Sequence, residues 1–476
     1  MDSAKKLNRR QFLRWSALAV GTGTLASCAP KVVTVEKVVQ QTVEVKETVV
    51  QEATVVKEAT VVQAVDWPKI RWVYFPNTQS QSEMLTALYK FQDEKHIRVE
   101  FEPTPGDWNG VTEKMLAGFA AGNAPDIYIQ YGPYVRLSID KGIALPYNPF
   151  IDKESFDMSD FVKGQIEAGT KSGNIYGLPN YCGIWLTWVN LDLFEQAGVP
   201  APTKDTWNID AYLNAAQKIV KRDGSGNLLQ SGTELVNSLE FGLSPAIWSY
   251  GAEVSDDTRT QCRMSEPKAM EALQMMADMV WKYKVTPSAA ETSALNTAGG
   301  WGIFPSGKSG MRDDGAWFFC CNMDAIGDKF HYAIIPHWKG PEGKRETFCT
   351  TDLWMCNAHT KFPDAAWEVA KFAASPEMNR IHMRFEHLQP ARRSVSSEWE
   401  KVTKEWAVSL NPKEEDLDLS LATEGYEYAR PMFWWECHTA VMEILNPVLD
   451  QIYTTGKGTV KDLIPQVCEK ISKVTC

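Results

Sequence analysis

The sequence lacks the features that mark several large classes of protein. It has no excess of positive charge, because Lys and Arg number 49 against 60 Asp and Glu, a formal net charge of −11. Since nucleic-acid phosphates require a basic surface, we expect no nucleic-acid partner. No stretch reaches the roughly 18 uninterrupted apolar residues of a transmembrane helix. The 10 Cys include no C-x-x-C pair, which excludes a zinc ribbon or a thioredoxin motif.

Two segments carry only part of a metal or nucleotide motif. Residues 382–387 (H-M-R-F-E-H) have neither the H-E-x-x-H nor the H-x-x-E-H spacing, so we predict solvated helix residues and no metal site. Residues 302–309 fit the G-x-x-x-x-G-K-[ST] phosphate-loop pattern letter for letter. However, residues 296–301 before them have the composition of a loop, and residues 311–315 after them do not start a helix. We therefore expect no nucleotide and no other cofactor.

The N-terminal segment has the features of an export signal. Residues 8–14 (N-R-R-Q-F-L-R) resemble the twin-arginine motif, and a short apolar stretch follows. Leu25-Ala26-Ser27-Cys28 resembles a bacterial lipobox, in which the chain is cut before the cysteine and the cysteine receives a lipid. These resemblances imply a signal peptide over 1–27 and an extracytoplasmic protein anchored to the membrane through Cys28. The alternative is a basic amphipathic start without a targeting role.

Residues 28–66 differ from the rest of the chain. Valine pairs recur about every six residues, and no aromatic residue, Gly or Pro lies between Lys31 and Asp66. This spacing does not place the pairs on one helix face, which disfavours a coiled coil. We predict a flexible Val/Thr/Glu-rich stalk. The alternative is a β-rich or helical stalk that associates with a partner chain.

From Trp67 onward the pattern is that of an α/β protein. Predicted strands over 70–75, 97–101 and 126–130 alternate with predicted amphipathic helices over 82–93 and 111–121. Such alternation implies parallel βαβ units, whose ligands gather beyond the carboxyl ends of the strands.

Several segments, in the same order along the chain, match one family. They are residues 122–128 (G-N-A-P-D-I-Y), 176–179 (Y-G-L-P), 188–199 (W-V-N-L-D-L-F-E-Q-A-G-V), 202–207 (P-T-K-D-T-W), 304–317 (F-P-S-G-K-S-G-M, then G-A-W) and 363–372 (P-D-A-A-W-E-V-A-K-F). Together they resemble the extracellular solute-binding proteins of ABC importers, the family that includes maltose-binding protein. The chain departs from the family at Gly310, where Ala is usual, and at Thr350-Thr351-Asp352, where many members carry glycines. The second departure leaves the substrate class open.

The resemblance implies a fold, a domain division and a function. The fold is a two-lobed periplasmic-binding-protein-like α/β fold (type II) with a hinge between the lobes. Lobe 1 would span 67–180 plus 348–392, and lobe 2 would span 181–347 plus 393–476. The function is that of a non-catalytic protein, which captures a mono- or oligosaccharide in the cleft and delivers it to the membrane permease of an ABC transporter.

Sugar rings have apolar faces that stack on aromatic side chains and hydroxyl edges that bond to Asp, Asn, Gln or Arg. The candidate ligand-binding residues at loop ends of lobe 1 are Tyr74, Gln79, Gln130, Tyr131, Asp352 and Trp354. Those of lobe 2 are Tyr181, Trp185, Trp248, Asp314, Trp317, Arg393 and Trp434. Family analogy favours Trp248 and Trp317, and core packing is the alternative for each aromatic residue.

The alternative function is an extracytoplasmic carbohydrate-acting enzyme, such as a glycosidase that works with two carboxylates. Asp313 and Asp314 are adjacent in what we predict to be an extended loop, so their side chains would point apart and could not flank one bond. No catalytic residue is therefore predicted.

The cysteines bear on the redox state of the exported protein. Export permits disulfides, but lipidation of Cys28 would leave an odd number of the 10 cysteines. We therefore expect at least one unpaired thiol within the monomer, and the sequence does not determine which cysteines pair.

Overall fold

A computed structural model gives the structure of the chain and describes residues 67–74, 78–104 and 108–475. The predicted signal peptide, Cys28 and the predicted stalk lie outside the described residues. Among the described helices, none combines the length and the apolar character that a membrane span requires.

The strands of the described residues are short. In chain order they are β1 (Lys69–Tyr74), β2 (Arg98–Pro103), β3 (Ile127–Gln130), β4 (Thr170–Lys171), β5 (Asn174–Ile175), β6 (Leu178–Pro179), β7 (Trp185–Asn190), β8 (Lys221–Arg222), β9 (Leu228–Gln230), β10 (Met311–Gly315), β11 (Tyr332–Pro336), β12 (Phe348–Cys349), β13 (Leu353–Cys356) and β14 (Arg430–Pro431).

The α-helices surround these strands. In chain order they are α1 (Thr78–Lys95), α2 (Trp108–Ala120), α3 (Gly132–Asp140), α4 (Asn148–Glu154), α5 (Lys163–Ala168), α6 (Leu191–Gln196), α7 (Ile209–Ile219), α8 (Ser244–Ser249), α9 (Pro267–Trp281), α10 (Ala289–Leu295), α11 (Phe318–Ile326), α12 (Pro363–Ala373), α13 (Pro376–Phe385), α14 (Ser396–Leu410), α15 (Ser420–Thr423), α16 (His438–Leu449) and α17 (Val460–Ile471).

The first half is built on a five-stranded sheet of order β2-β1-β3-β13-β6. Strand β1 pairs in parallel with β2 and β3, with Trp72 opposite Phe101 and Ile127. These parallel pairs confirm the βαβ units predicted from the alternating pattern. Strand β13, which comes much later in the chain, inserts antiparallel between β3 and β6, with Leu353 opposite Gln130.

The second half is built on a three-stranded antiparallel sheet of order β10-β7-β11. Every residue of the central strand β7 is buried. One large apolar core on this half joins residues of β7 to residues of α7, α9, α16 and α17. The molecule is therefore a two-lobed α/β protein, as the sequence resemblance implied.

The chain passes between the cores of the two halves at three places. Leu178, Leu353 and Ala391 belong to the core of the five-stranded half. Cys182 and Cys349, a few residues away, belong to a core cluster that includes Leu186 and Trp188 of β7. Bridges between Tyr181 and Pro390 and between Ile184 and Cys349 hold the crossing segments together. The lobe boundaries themselves stay a prediction.

The abundance of tryptophan is largely explained by core packing. Among the described residues, eight Trp are fully buried: Trp72, Trp185, Trp188, Trp338, Trp354, Trp367, Trp399 and Trp435. The prediction of solvated residues at 382–387 is wrong for His382, which is buried and lies 3.2 Å from Glu386 through its Nδ1 atom. The ring of His387 stacks on Trp406 with a centroid separation of 3.6 Å.

The cysteines are partly paired. Disulfides join Cys262 to Cys468 and Cys320 to Cys321, and Cys437 is also disulfide-bonded. The described thiols that remain free, all of them buried, are Cys182, Cys349 and Cys356. Their presence confirms the expectation of at least one unpaired thiol.

Candidate ligand-binding site

A cavity of about 510 Å³, which we call the cleft cavity, lies between the two halves. One wall begins at Tyr131, directly after the carboxyl end of β3, and continues along α3. The opposite wall comes from residues 240–241 and from α16. The lining residues are Tyr131, Pro133, Tyr134, Leu137, Glu240, Phe241, Met432, His438, Thr439, Met442, Glu443, Asn446 and Pro447. This position, beyond the end of a parallel strand, is where α/β proteins commonly bind ligands.

Gly132 fixes the geometry of the first wall. Tyr131 is extended, and Gly132 has a φ of +45°, a conformation that L side chains rarely adopt. A Cβ atom at Gly132 would lie 2.7 Å from Sδ of Met432, which belongs to the opposite half. Glycine therefore lets the strand turn sharply into α3 and lets the two halves approach closely.

A carboxylate and an imidazole meet on the opposite wall. The π-helical turn Leu239–Leu243 places Glu240 so that its Oε1 lies 3.4 Å from Nε2 of His438, and its Oε2 accepts a hydrogen bond of 2.6 Å from Ser238. The Trp435 amide donates to Nδ1 of His438 at 3.4 Å, which assigns the ring proton to Nε2. Burial raises the pKa of Glu240, but the hydrogen bonds from His438 and Ser238 outweigh it and hold the pKa below its ordinary value. The wall thus carries a fixed carboxylate acceptor.

Aromatic packing supports the Phe241 side of the cavity. The Phe241 ring meets Trp317 edge to face at 6.0 Å, and Trp317 lies 5.9 Å from Trp185. The Trp317 ring lies against two glycines, because a Cβ atom at Gly315 would be 2.0 Å away from it and one at Gly183 2.3 Å. Trp317, which is partly buried, therefore packs against Phe241 and stabilises the cavity wall.

Of the predicted site residues, Tyr131 lines the cleft cavity and Trp317 contacts its wall. Gln79 belongs to α1, and its side chain lies outside the described residues. The remaining predicted residues fall into three other environments.

The first environment is a buried polar cluster near the carboxyl ends of the strands of the five-stranded sheet. Gln130 accepts a hydrogen bond of 3.1 Å from Thr112, and neither residue is exposed. Burial raises the pKa of Asp352 to about 8, although hydrogen bonds from Thr350 and Tyr181 oppose the shift. Burial likewise raises the pKa of Tyr74 and Tyr181. The structure brings Tyr74, Tyr181 and Asp352 together, with Tyr74 and Asp352 buried and Tyr181 half-buried.

The second environment is the interior. The predicted stacking role is wrong for Trp185 and Trp354, because both rings are buried in the cores, where Nε1 of Trp354 donates to Asn180 at 3.0 Å. Asp314 is buried and pairs with Arg312 at 2.8 Å.

The predicted loop at Asp313 and Asp314 is likewise wrong, since both residues lie on β10. Asp313 accepts from Thr187 at 2.7 Å, so this carboxylate, like that of Asp314, is held by a protein partner.

The third environment is a second cavity, of about 620 Å³, to which Trp248 contributes. Arg430 covers the Trp248 ring at 5.0 Å, and Arg259 covers the Trp434 ring at 3.7 Å. Arg393 forms an ion pair with Glu427. These three predicted residues, Trp248, Trp434 and Arg393, do not line the cleft cavity.

Sequence reasoning missed Tyr134, Glu240, Phe241 and His438. His438 lies four residues after Trp434, which was predicted from the sequence as a site residue. No local signal marks Glu240 and Phe241, because a π-helical turn has no simple sequence period.

The phosphate-loop pattern at 302–309 has a structural explanation. The Ile303 and Phe304 amides each donate to the Glu234 carboxylate at 2.6 Å, and Arg312 pairs with the same carboxylate. A side chain of the protein therefore occupies the place where a phosphate would bind. The described residues also contain no group of three or more metal-ligating side chains.

Comparison with known sequences identifies related proteins. The sequence profile of the bacterial extracellular solute-binding protein family matches residues 76–380. A binding protein of Brucella abortus is 28% identical over 281 residues, which is 58% of this chain and 64% of the relative. An arabinooligosaccharide-binding protein of Halalkalibacterium halodurans is 27% identical over 198 residues, 40% of this chain and 41% of the relative. The matched region thus covers less than two thirds of these curated relatives.

Solved structures show the same fold. An ABC substrate-binding protein from Listeria monocytogenes in complex with cycloalternan has a TM-score of 0.71 at 20% identity, over 86% of this chain and 99% of that one. A cyclic alpha-maltosyl-1,6-maltose binding protein from Arthrobacter globiformis has a TM-score of 0.68 at 17% identity, over 86% of this chain and 99% of that one. A protein of M. tuberculosis in complex with glycerophosphocholine has a TM-score of 0.67 at 14% identity, over 85% of this chain and 97% of that one.

Proposed function

Because the chain belongs to the bacterial extracellular solute-binding protein family, we propose that it captures a carbohydrate, a mono- or oligosaccharide, in the cleft cavity. The observation that carries the proposal is the lining of that cavity. Tyr131, Tyr134 and Phe241 offer ring faces or edges to sugar C–H groups, and the pair of Glu240 and His438 offers hydrogen-bonding atoms to hydroxyls. The sugars named for several relatives and structural neighbours support this substrate class.

The site experiment is a calorimetric titration with a panel of sugars. We expect at least one sugar to bind and Phe241→Ala to weaken it about tenfold, since a lost aromatic contact costs roughly 1–1.5 kcal/mol. The matched control is Phe362→Ala, which removes a phenylalanine that is 41% exposed and lies outside the cleft cavity. If no sugar binds, or if Phe241→Ala binds as the unchanged protein does, the cleft cavity is not a carbohydrate site.

The protein is proposed to be non-catalytic and to deliver its ligand to the permease of an ABC transporter. Each sugar that binds should be recovered unchanged after long incubation with the protein. Release of shorter sugars would instead support the glycosidase alternative.

Membrane attachment through a lipid on Cys28 is proposed from the export motif and the lipobox. Cys28→Ala should move the protein out of the membrane fraction. A variant that stays in the membrane fraction unchanged would show that the anchor lies elsewhere.

A further inference from the structure

The second cavity, of about 620 Å³, lies on the other side of the chain segment that contributes Met432 to the cleft cavity. Pro431 and Phe433, the neighbours of Met432 in the chain, line this second cavity. We call it the Arg259 cavity. One wall comes from α5, and another comes from the loop between α8 and α9.

Arg259 is held in place by its backbone and by a tryptophan. Its φ of +57° is a left-handed conformation that favours glycine. Two backbone hydrogen bonds secure it, from the Arg259 amide to Asp256 at 3.0 Å and from the Glu436 amide to the Arg259 carbonyl at 3.1 Å. The guanidinium carbon then lies 3.7 Å from the centroid of the Trp434 ring.

The N–H groups of the Arg259 guanidinium are available to a ligand. Among the described residues it forms no ion pair and no side-chain hydrogen bond, although it lines a cavity. Burial of the guanidinium removes part of its hydration and lowers the pKa of Arg259 to about 10. A partly buried guanidinium whose N–H groups lack acceptors favours a ligand that supplies oxygen atoms.

The acidic residues of the same walls are mostly bound to other partners. Glu253 accepts two hydrogen bonds from Nη1 of Arg430, at 3.0 and 2.9 Å. The Asp256 carboxylate accepts from the backbone amides of Thr260 at 3.0 Å and Gln261 at 2.9 Å.

The other charged lining residues lie nearer to water. Glu427 pairs with Arg393. Glu167 and Asp257 are exposed, where water and salt screen their charge, and the exposed Lys163 is one helical turn before Glu167. The Arg259 guanidinium is therefore a partly buried charge that forms no ion pair with a described residue, although the carboxylates of Glu167 and Glu253 attract it through space.

We propose that the Arg259 cavity is a second binding site, which takes a small sugar acid. The ligand carboxylate would bind the edge of the Arg259 guanidinium through two parallel hydrogen bonds, while Trp434 holds the guanidinium plane. The cavity is much larger than a carboxylate, and the remaining lone pairs of Glu253 and Asp256 can accept hydrogen bonds from hydroxyls. This site is separate from the cleft cavity and does not depend on the carbohydrate proposed there.

The test compares D-glucuronate with D-glucose, which differ at the carboxylate, by isothermal titration calorimetry. D-Glucuronate should bind at least about tenfold more tightly than D-glucose at this site, and its affinity should fall as salt is added. Arg259→Gln should weaken D-glucuronate binding at least about tenfold. Arg263→Gln is the matched control, because Arg263 pairs with Glu266 on the surface and does not line the cavity.

Two further variants separate this site from the cleft cavity and from a folding defect. Phe241→Ala, in the wall of the cleft cavity, should leave D-glucuronate binding unchanged. Arg259→Lys keeps the charge without the planar fork and should bind between the unchanged protein and Arg259→Gln. The proposal is overturned if D-glucuronate gives no binding heat, if Arg259→Gln folds and binds it normally, or if Phe241→Ala abolishes its binding.

Discussion

Trp317 shows how one aromatic residue can serve either binding or stability. Its ring stands behind Phe241 and against Gly183 and Gly315. Trp317→Ala should free Phe241 to move and lower sugar affinity by roughly ten- to hundredfold, or 1–3 kcal/mol. Calorimetric titration and thermal unfolding of the same variant measure both effects.

Trp301→Ala is the control for Trp317→Ala, since that indole is 45% exposed. It should change neither affinity nor stability. If Trp317→Ala instead loses about 3–5 kcal/mol of stability while the folded fraction keeps its affinity, Trp317 is a core residue only.

Asp352 should make stability depend on pH. Burial raises its pKa to about 8 in the folded chain from 3.8, so the folded state holds the proton more tightly than the unfolded state does. Its contribution to stability is complete below about pH 4 and is lost as the pH rises toward about 8. Asp352→Asn should therefore increase the free energy of unfolding near pH 8 by on the order of 1–3 kcal/mol, which raises the melting temperature. Near pH 4 the substitution should have little effect.

The control for Asp352→Asn is Asp364→Asn, whose side chain is 74% exposed. Thermal unfolding of the three proteins across this pH range measures the difference. If Asp352→Asn and Asp364→Asn have parallel pH profiles, Asp352 is not protonated in the folded state.

At the scale of elements, Glu234 anchors the segment that contains Ile303 and Phe304, before β10, to the rest of the second half. Its carboxylate receives the Ile303 and Phe304 amides and pairs with Arg312, and all of these groups are buried or nearly so. Glu234→Gln removes one of the two carboxylates that compensate the buried Arg312 cation and leaves only Asp314 opposite it. We expect a loss of about 3 kcal/mol in the free energy of unfolding, measured by urea denaturation.

An exposed ion pair provides the comparison for Glu234→Gln. Glu100 pairs with Lys69 at 2.7 Å, with both side chains about half exposed. Glu100→Gln should cost less than about 1 kcal/mol. Equal losses in the two variants would mean that Glu234 does not anchor the segment.

The predicted elements of the first half were found close to their expected positions. The helix predicted over 82–93 is α1 (Thr78–Lys95), and the strand predicted over 97–101 is β2 (Arg98–Pro103). The difference lies at the ends, because apolar periodicity marks the buried face and not the first and last turns. The antiparallel insertion of β13 had no such signal, since its partners β3 and β6 are distant in sequence.

At the scale of the whole molecule, ligand binding should close the two halves about the crossing segments near Tyr181. The cleft cavity takes one wall from each half, so a ligand that contacts both walls favours the closed arrangement. Small-angle X-ray scattering should show a smaller radius of gyration with a sugar that binds than without it. A sugar that fails to bind in calorimetry is the control.

An unchanged radius of gyration at saturating sugar would exclude closure as the mechanism. It would leave binding at the cleft cavity intact, because calorimetry measures that separately. The two results therefore test different steps.

By itself the sequence determined the α/β character, the order of the first strands and helices, and the likeness to solute-binding proteins. These depend on local periodicity and on short segments, which can be read without knowing what lies nearby. Only the tertiary structure decided which residues meet at the cleft cavity. Tyr131 and Trp354 were both predicted as ligand-binding aromatic residues at loop ends, yet one lines the cavity and the other is core. The reason is that burial depends on packing between segments far apart in the chain, such as α3 against Phe241 and His438, and no local pattern encodes those contacts.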